Sequence, residues 1–186
     1  MQTIHLETKI AAPIERCFLL STHVELVQQT LGMKLIEGTT SGHIVDGSRV
    51  VWRGWKFCLP TQHHTRITGY AEPRSAATAG DLHADFTGQR IAWFQDSQER
   101  GRFVFFTHDH YLRESRNGTG EPETVLEDVV RFSLPLGILG RMVSHSIVAP
   151  HIRSLVTKRF ALLKHVAESN AWKHYLKDGA THGNCI

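Results

Sequence analysis

The spacing of apolar residues along this chain changes at Pro135, from a period of two to a period of about 3.6. Between Met33 and Pro135 most of the pattern is typical of strands, separated by breaks that contain glycine or proline. After it, a helix of about 18 residues is predicted from Pro150, and it would be about 27 Å long. Its apolar stripe consists of Ile152, Leu155, Val156, Phe160, Leu163 and Val166. A helix of this length can cross a whole sheet.

The N-terminal part of the chain predicts one strand followed by two short helices. Residues 2–10 alternate between apolar and polar side chains, and Pro13 suits the first turn of a helix. Thr22 and Glu25 have the spacing of a capping box, which predicts a second helix ending near Gly32. Later strands are expected at residues 33–37, 43–45, 49–53, 61–70, 91–96, 101–110 and 124–132, with a hairpin turn at Asp46-Gly47. This order predicts an α+β domain whose antiparallel sheet curls around the terminal helix.

The composition is that of a single globular domain. Of the 186 residues, 41% are hydrophobic and 21% are charged, a balance typical of such domains. Three scattered cysteines are too few for a disulfide framework or a zinc site, and they fit a reducing cytoplasm. No signal-peptide pattern and no run of about 18 apolar residues is present, so we expect neither secretion nor an integral membrane segment. Lys and Arg are spread along the chain, which argues against nucleic-acid binding.

Two of the predicted strands, residues 101–110 and 124–132, place ionisable groups on an apolar face. His108 and His110 share one face of the first strand with aromatic and aliphatic side chains, and Asp128 lies in the middle of an apolar face of the second. If the strands pair antiparallel, Asp128 lies opposite or diagonal to one of the two histidines. A half-buried imidazole that faces a carboxylate needs a structural or functional explanation.

Short motifs follow one another along most of the chain. They are Ile10-Ala-Ala-Pro-Ile-Glu-Arg-Cys-Phe18, Pro60, Arg66-Ile-Thr68, Phe94-x-Asp96, Gly101-x-Phe103, His108-x-His110, Thr124-x-Leu-x-Asp128 and Pro135-x-Gly137. With these motifs, residues 2–167 resemble the START-like superfamily, which includes the birch-pollen-allergen-like (SRPBCC) proteins. The chain is most similar to the bacterial branch of polyketide cyclase/dehydrase and lipid-transport-like proteins.

The resemblance implies the helix-grip fold, in which a long C-terminal helix crosses the concave face of a curved antiparallel sheet. Two short helices follow the first strand of that fold. The resemblance also implies a cavity between the sheet and the helix for an apolar or amphipathic small molecule. It does not imply catalysis, because members of one fold differ in function.

Residues 1–168 are interpreted as one ligand-binding domain. Within it, residues 74–90 have no counterpart in the resemblance and predict an insertion or a lid over the cavity. Residues 169–186 are interpreted as a C-terminal tail that frays or adds one more helical turn.

The preferred function is non-covalent binding of a hydrophobic small molecule of lipid, polyketide or aromatic type, by a carrier or a sensor. Asp128 and a histidine would serve as a polar anchor in an otherwise apolar pocket. The predicted pocket residues are Trp52, His63, Phe106, His108, His110, Leu126, Asp128, Val156, Phe160 and Leu163. No residue is assigned as catalytic, and the oligomeric state is left open.

Three other interpretations remain. In the first, His108 or His110 acts with Asp128 as the general acid/base pair of a cyclase or dehydratase. In the second, residues 71–90 and the tail bind a partner protein. In the third, the two histidines hold a metal with Asp128 and with His63 or a neighbouring histidine, His64. The fuller spacing of a metal site is missing, so we expect no metal and no cofactor.

Overall fold

The structure is a computed structural model, which describes residues 1–56, 58–75 and 89–176. The strands in these ranges are β1 (Gln2–Ile10), β2 (Lys34–Gly38), β3 (Arg49–Lys56), β4 (Leu59–Ser75), β5 (Arg90–Arg100), β6 (Phe105–Arg116) and β7 (Pro122–Ser133). The helices are α1 (Ile14–Thr22), α2 (Val24–Leu31), α3 (Gly137–Val143), α4 (Ala149–Glu168) and α5 (Trp172–Tyr175). A π-helical turn over Ser144–Val148 joins α3 to α4. No helix in the described ranges is both long enough and apolar enough to cross a membrane.

The strands form one curved antiparallel sheet in the order β1-β7-β6-β5-β4-β3-β2. From β2 to β7, each strand pairs with the next strand along the chain. β1 pairs with β7 and forms the edge of the sheet on that side. The end of α4 is tied to the same edge, since Lys164 donates a hydrogen bond of 2.6 Å to the Lys9 carbonyl. Glu168 accepts a bond of 2.8 Å from the backbone N–H of Ala11. The predicted α+β helix-grip architecture is therefore confirmed.

The concave face of the sheet and the buried side of α4 share one hydrophobic core with α1 and α2. Val156, Phe160 and Leu163 of α4 are buried in it, as the apolar stripe predicted. Cys17 of α1 is buried in the same core, and burial raises the pKa of its thiol to about 11. A thiol with such a pKa carries almost no thiolate at neutral pH, so Cys17 is a core residue and not a nucleophile.

The predicted capping box of the second helix is wrong. α1 extends to Thr22, so the hydroxyl of Thr22 donates back to the carbonyls of Phe18 and Leu19 instead of capping α2. The carboxylate of Glu25 accepts the backbone N–H of Gly42, at 3.1 Å and 3.2 Å from its two oxygens. Thr22 therefore bonds within α1 and Glu25 bonds to the backbone at Gly42, so neither side chain caps α2.

Several strand boundaries also differ from the prediction, among them the ends of β3 at Lys56 and of β5 at Arg100, which lie beyond the predicted residues 53 and 96. Residues 43–45 contribute an isolated bridge between His23 and His43, and Asp46-Gly47 forms a turn whose Gly47 N–H donates to Ile67. β6 begins at Phe105 and not at residue 101. β4 continues past residue 70 to Ser75, because three register shifts let the long strand stay paired with β5.

The predicted insertion and tail are described in part. Arg74 and Ser75 end β4 and Arg90 begins β5, so residues 74, 75 and 90 belong to the sheet. The remainder of that segment, residues 76–88, lies outside the described residues, and so do residues 177–186 of the tail. The described part of the tail forms α5, where Trp172 packs under the guanidinium of Arg16 at 4.4 Å.

Gly140 of α3 provides a test of the connection between β7 and α4. A Cβ at this position would lie 1.8 Å from the carbonyl oxygen of Pro135, a backbone atom that cannot turn away. Gly140→Ala should therefore lower the free energy of unfolding by about 1–3 kcal/mol despite the better helix propensity of alanine. Gly118→Ala is the matched control, since a Cβ there meets no atom within 4 Å. Urea denaturation of both variants measures the effect, and equal stabilities would contradict this packing.

Candidate functional site

Alternate side chains of β6 face α4, and they become more exposed towards one end of the strand. Leu112 is 0% and His110 is 3% exposed, while His108 and Phe106 are half-buried. The concave face is therefore buried most deeply at its centre and is partly exposed at the end where β6 begins, the open end. The predicted alternation of aromatic and ionisable side chains on this face is confirmed.

The register of three strands brings four ionisable groups and an aromatic ring together. His110 of β6 lies directly opposite Asp128 of β7, as expected from the sequence. On the other side of β6, Asp96 of β5 lies opposite His108, and Phe94 lies opposite His110. The ring of Phe94 stacks on that of His110, with centroids 4.2 Å apart and planes inclined by 22°. The rings of the two histidines are 3.8 Å apart.

Asp128 is the most buried member of this group, with a side chain that is 0% exposed. His110 Nδ1 hydrogen-bonds to Asp128 Oδ1 at 2.8 Å. Arg159 of α4 donates from Nη1 to both oxygens, at 3.2 Å to Oδ1 and 2.9 Å to Oδ2. His108 Nε2 lies 3.0 Å from Oδ2, at an angle poorer than that of a good hydrogen bond. Three cationic or polar side chains thus satisfy one carboxylate.

Asp96 faces the remaining nitrogen of each imidazole. Its Oδ2 lies 3.5 Å from His110 Nε2 and 3.8 Å from His108 Nδ1. Each histidine therefore lies between two carboxylates, with Asp128 on the deep side and Asp96 on the outer side. The side chain of Asp96 is 23% exposed and that of His108 is 13% exposed. This outer edge is where a small molecule or an ion can approach.

Both carboxylates are held in their charged form. Burial alone would raise the pKa of Asp128, but Arg159 and then the two imidazoles outweigh it and hold that pKa well below its usual range. Burial would also raise the pKa of Asp96, yet a hydrogen bond from His110 and the charges of nearby histidines lower it. The cluster therefore carries two negative charges that neighbouring cations must balance.

Burial and the neighbouring charges shift the pKa of His108 and the pKa of His110 in opposite directions. Burial lowers the pKa of His108, and the charge of His110 lowers it further. Burial acts in the same direction on His110, but the Asp128 carboxylate outweighs it and the pKa of His110 is raised. At a pH between the two histidine pKa values, His110 and Arg159 carry positive charges that balance the two carboxylates, and His108 is neutral. The pair of rings thus combines a proton donor with a neutral acceptor in one site.

A metal ion could be held at the outer edge. Three possible ligand atoms, one each from Asp96, His108 and His110, lie within 4.8 Å of one another. Asp128, which the sequence suggested as the metal ligand, is instead paired with Arg159 beneath the two imidazoles.

The other predicted pocket residues divide into two groups. His63 and Phe106 lie together at the open end, with ring centroids 5.2 Å apart. The rest are buried in the common core, and they are Trp52, Leu126, Val156, Phe160 and Leu163. Leu163 also lines a crevice between α2 and α4 that is too narrow to hold a water molecule.

Two residues of the cluster were not among the sequence-based candidates. Arg159 lies three residues after Val156 and four before Leu163, so its place on the apolar stripe could have marked it as a buried charge. Its Nη2 is buried and has no hydrogen-bond partner among the described residues. Asp96 appeared only as part of a motif, because the pairing of β5 with β6 could not be aligned from the sequence alone.

The ion pair between Arg159 and Asp128 should dominate the stability of the domain. Arg159→Met leaves the Asp128 charge buried without its strongest partner, and we expect it to lower the free energy of unfolding by about 3–5 kcal/mol. Arg153→Met in the same helix is the control, since Arg153 is exposed. Urea denaturation compares the two variants. Similar losses in both would show that Asp128 does not depend on Arg159.

The opposite pKa shifts of the two histidines can be measured by NMR titration of the histidine rings in chelator-treated protein. His110 should lose its proton above the usual histidine pKa of about 6.5, and His108 should lose its proton below it. Because the folded-state pKa of His110 is raised, its contribution to stability is complete below pH of about 6.5 and is lost as the pH rises through the raised value. A titration in which His108 is the more basic ring would contradict the assigned geometry.

Comparison with known proteins finds likeness in structure and not in sequence. No family model matches the chain, and no curated protein matches it. A protein from Thermus thermophilus, TTHA0849, is 12% identical, with 97% of this chain and 100% of that chain covered and a TM-score of 0.51. Norcoclaurine synthase from Thalictrum flavum, in complex with dopamine and hydroxybenzaldehyde, is 12% identical, with 89% and 86% covered and a TM-score of 0.52.

A START superfamily protein from Mycobacterium smegmatis is 13% identical, with 89% of this chain and 97% of that chain covered and a TM-score of 0.51. At these identities the likeness concerns the fold and not the activity. Together with the sheet order and the long C-terminal helix, it shows that this chain has the Bet v 1/START-like fold.

Proposed function

We propose that this protein binds a hydrophobic or amphipathic small molecule non-covalently at the open end of the concave face, as a carrier or a sensor. The observation that carries the proposal is the half-buried aromatic surface directly beside the charged cluster. An apolar wall with a few polar groups at one end is the usual composition of a small-molecule site.

The aromatic surface is formed by three rings in mutual contact. Phe103 lies 5.1 Å from Phe106 and 6.3 Å from His63, measured between ring centroids. All three residues are half-buried, so part of each ring is open to a ligand. Burial lowers the pKa of His63, so its ring adds a neutral face to the surface at neutral pH. An aromatic or hydrocarbon group can pack here without displacing the core.

Further exposed apolar side chains lie in the segments that adjoin this end of the sheet along the chain. β7 ends at Ser133 opposite Phe105, and the chain then continues into α3. The exposed apolar side chains of this region are Val104, Leu136, Ile138, Leu139, Met142 and Ile147. Apolar side chains exposed in such number are typical of a region that meets a ligand, a partner or a membrane surface. Val104 and Leu136 adjoin the strand ends where β6 begins and β7 ends, and the others belong to α3 and the π-helical turn that follow.

The outer edge of the cluster provides the polar end of the site. The Asp96 carboxylate accepts hydrogen bonds, and the neutral ring of His108 can accept or donate. A ligand with a hydroxyl group next to an apolar ring would satisfy both the edge and the aromatic surface. Asp128 would act from beneath by orienting the two imidazoles.

The fold is compatible with this proposal. The norcoclaurine synthase structure contains dopamine and hydroxybenzaldehyde, which are small aromatic molecules with hydroxyl groups. The ligand of the present chain, the lid role of residues 74–90 and a cytoplasmic location all stay predictions. So does the binding of a partner protein by residues 71–90 and the tail.

Binding of 2-naphthol, followed by its fluorescence, tests the aromatic surface. Phe106→Asn should weaken binding about tenfold or more, since a buried aromatic contact contributes about 1.5–3 kcal/mol. Phe105→Asn is the matched control, because Phe105 is the neighbouring residue on the opposite face of β6. Equal effects of the two substitutions, or no binding by the unmodified protein, would contradict the proposal.

The polar end is tested by comparing 2-naphthol with naphthalene, which lacks the hydroxyl group. The unmodified protein should bind 2-naphthol at least about fivefold more tightly, because one hydrogen bond contributes about 0.5–1.5 kcal/mol. Equal affinities would show that the charged cluster does not contact the ligand.

A second candidate function, a cyclase or dehydratase, is favoured by the orientation of His108. One ring nitrogen lies 3.0 Å from Asp128 and the other faces the outer edge, which is an arrangement used in general acid/base catalysis. Loss of water changes the mass of a molecule, whereas ring closure alone gives an isomer of the same mass. Molecules extracted from the unmodified protein would then differ in mass or in chromatographic retention from those extracted from His108→Ala made in the same host. Agreement in retention as well as in mass is the outcome that excludes turnover and leaves binding as the function.

A further inference from the structure

We propose that Asp96, His108 and His110 form a binding site for one divalent transition-metal ion. This inference goes beyond the binding of a hydrophobic molecule, and it differs from the metal site considered from the sequence. The sequence suggested Asp128 and a histidine of β4 as the further metal ligands. The structure instead offers Asp96 as the carboxylate ligand.

The distances between the ligand atoms are close to those of a tetrahedral site. Asp96 Oδ2 lies 3.5 Å from His110 Nε2 and 3.8 Å from His108 Nδ1. Metal bonds of about 2.0–2.1 Å in a tetrahedron place neighbouring ligand atoms about 3.3–3.4 Å apart. Since one ligand atom of each residue already lies within 4.8 Å of the other two, small rotations of the side chains would bring three such atoms to the same ion.

The second nitrogen of His110 is hydrogen-bonded to a carboxylate, and that of His108 faces the same carboxylate at a poorer angle. Asp128 lies 2.8 Å from His110 Nδ1 and 3.0 Å from His108 Nε2. A carboxylate in this position keeps those nitrogens protonated. An ion bound to His110 Nε2 and His108 Nδ1 takes the place of the proton that His110 Nε2 donates towards Asp96, and that proton passes to water. The ring of Phe94 further fixes His110 by stacking on it. A purely structural ion-pair cluster does not need both imidazoles to be oriented in this way.

The donor set indicates the class of metal. Two imidazole nitrogens and one carboxylate suit Zn²⁺, Fe²⁺, Co²⁺ or Ni²⁺, whereas Ca²⁺ and Mg²⁺ prefer oxygen ligands. Three protein ligands leave at least one coordination position for another molecule. The exposed edges of Asp96 and His108 place that position at the open end of the concave face, beside Phe106.

Titration of chelator-treated protein with Co²⁺, followed by visible absorption, tests the site. One equivalent should bind, with the intense absorption bands of a tetrahedral ion. Asp96→Asn and His108→Gln should each weaken binding at least about tenfold, because each removes a ligand. His5→Gln is the control, since His5 forms a surface pair with Glu127 at 2.8 Å. No stoichiometric binding, or equal binding by all variants, would overturn the proposal.

X-ray absorption of the unmodified protein loaded with Zn²⁺ gives a result that does not depend on the folding of any variant. Two imidazole rings and at least one oxygen should surround the zinc at about 2.0–2.1 Å. A shell with a sulfur ligand, or with one imidazole or none, would overturn the assignment of these three residues.

Discussion

The buried carboxylate of Asp128 is the group around which this domain is arranged. A charge removed from water costs several kcal/mol unless partners balance it, and here the partners come from two other elements. Arg159 reaches it from α4, and the two histidines reach it from β6. A shift of one residue between β6 and β7 would turn the histidines or the carboxylate to the opposite face, so the same contact fixes strand register. It also fixes the position of α4 over the sheet.

This arrangement leaves the outer edge of the cluster available to the proposed ligand. Asp128 orients the imidazoles from beneath, which leaves their other nitrogens directed at Asp96 and at the open end. Beyond this edge the concave face consists of half-buried aromatic rings. If a metal ion is bound at this outer edge, its free coordination position faces the same aromatic surface. The two proposals then describe one site, with the ion in place of a direct hydrogen bond to the ligand.

The sequence predicted the order of the elements and the contact between Asp128 and the histidines, because both depend on short-range periodicity. Two histidines in alternate positions and an aspartate at the centre of an apolar face must meet when neighbouring strands pair. Asp96 and Arg159 could not be placed in the same way. Their positions depend on how β5 pairs with β6 and on how far α4 turns over the sheet, and several registers fit the sequence. The capping box failed for a similar reason, since the exact end of α1 decides what Thr22 can reach.

The structural relatives show the fold, so the function depends on the site. We propose that small molecules bind where the aromatic surface meets the charged cluster. A crystal structure of the protein grown with 2-naphthol tests this most directly. We predict that the naphthalene ring packs against Phe106 and His63, with its hydroxyl group at Asp96 or His108. The proposed site would be contradicted if 2-naphthol bound elsewhere, for example on the exposed side of α3, and left this end of the concave face unoccupied.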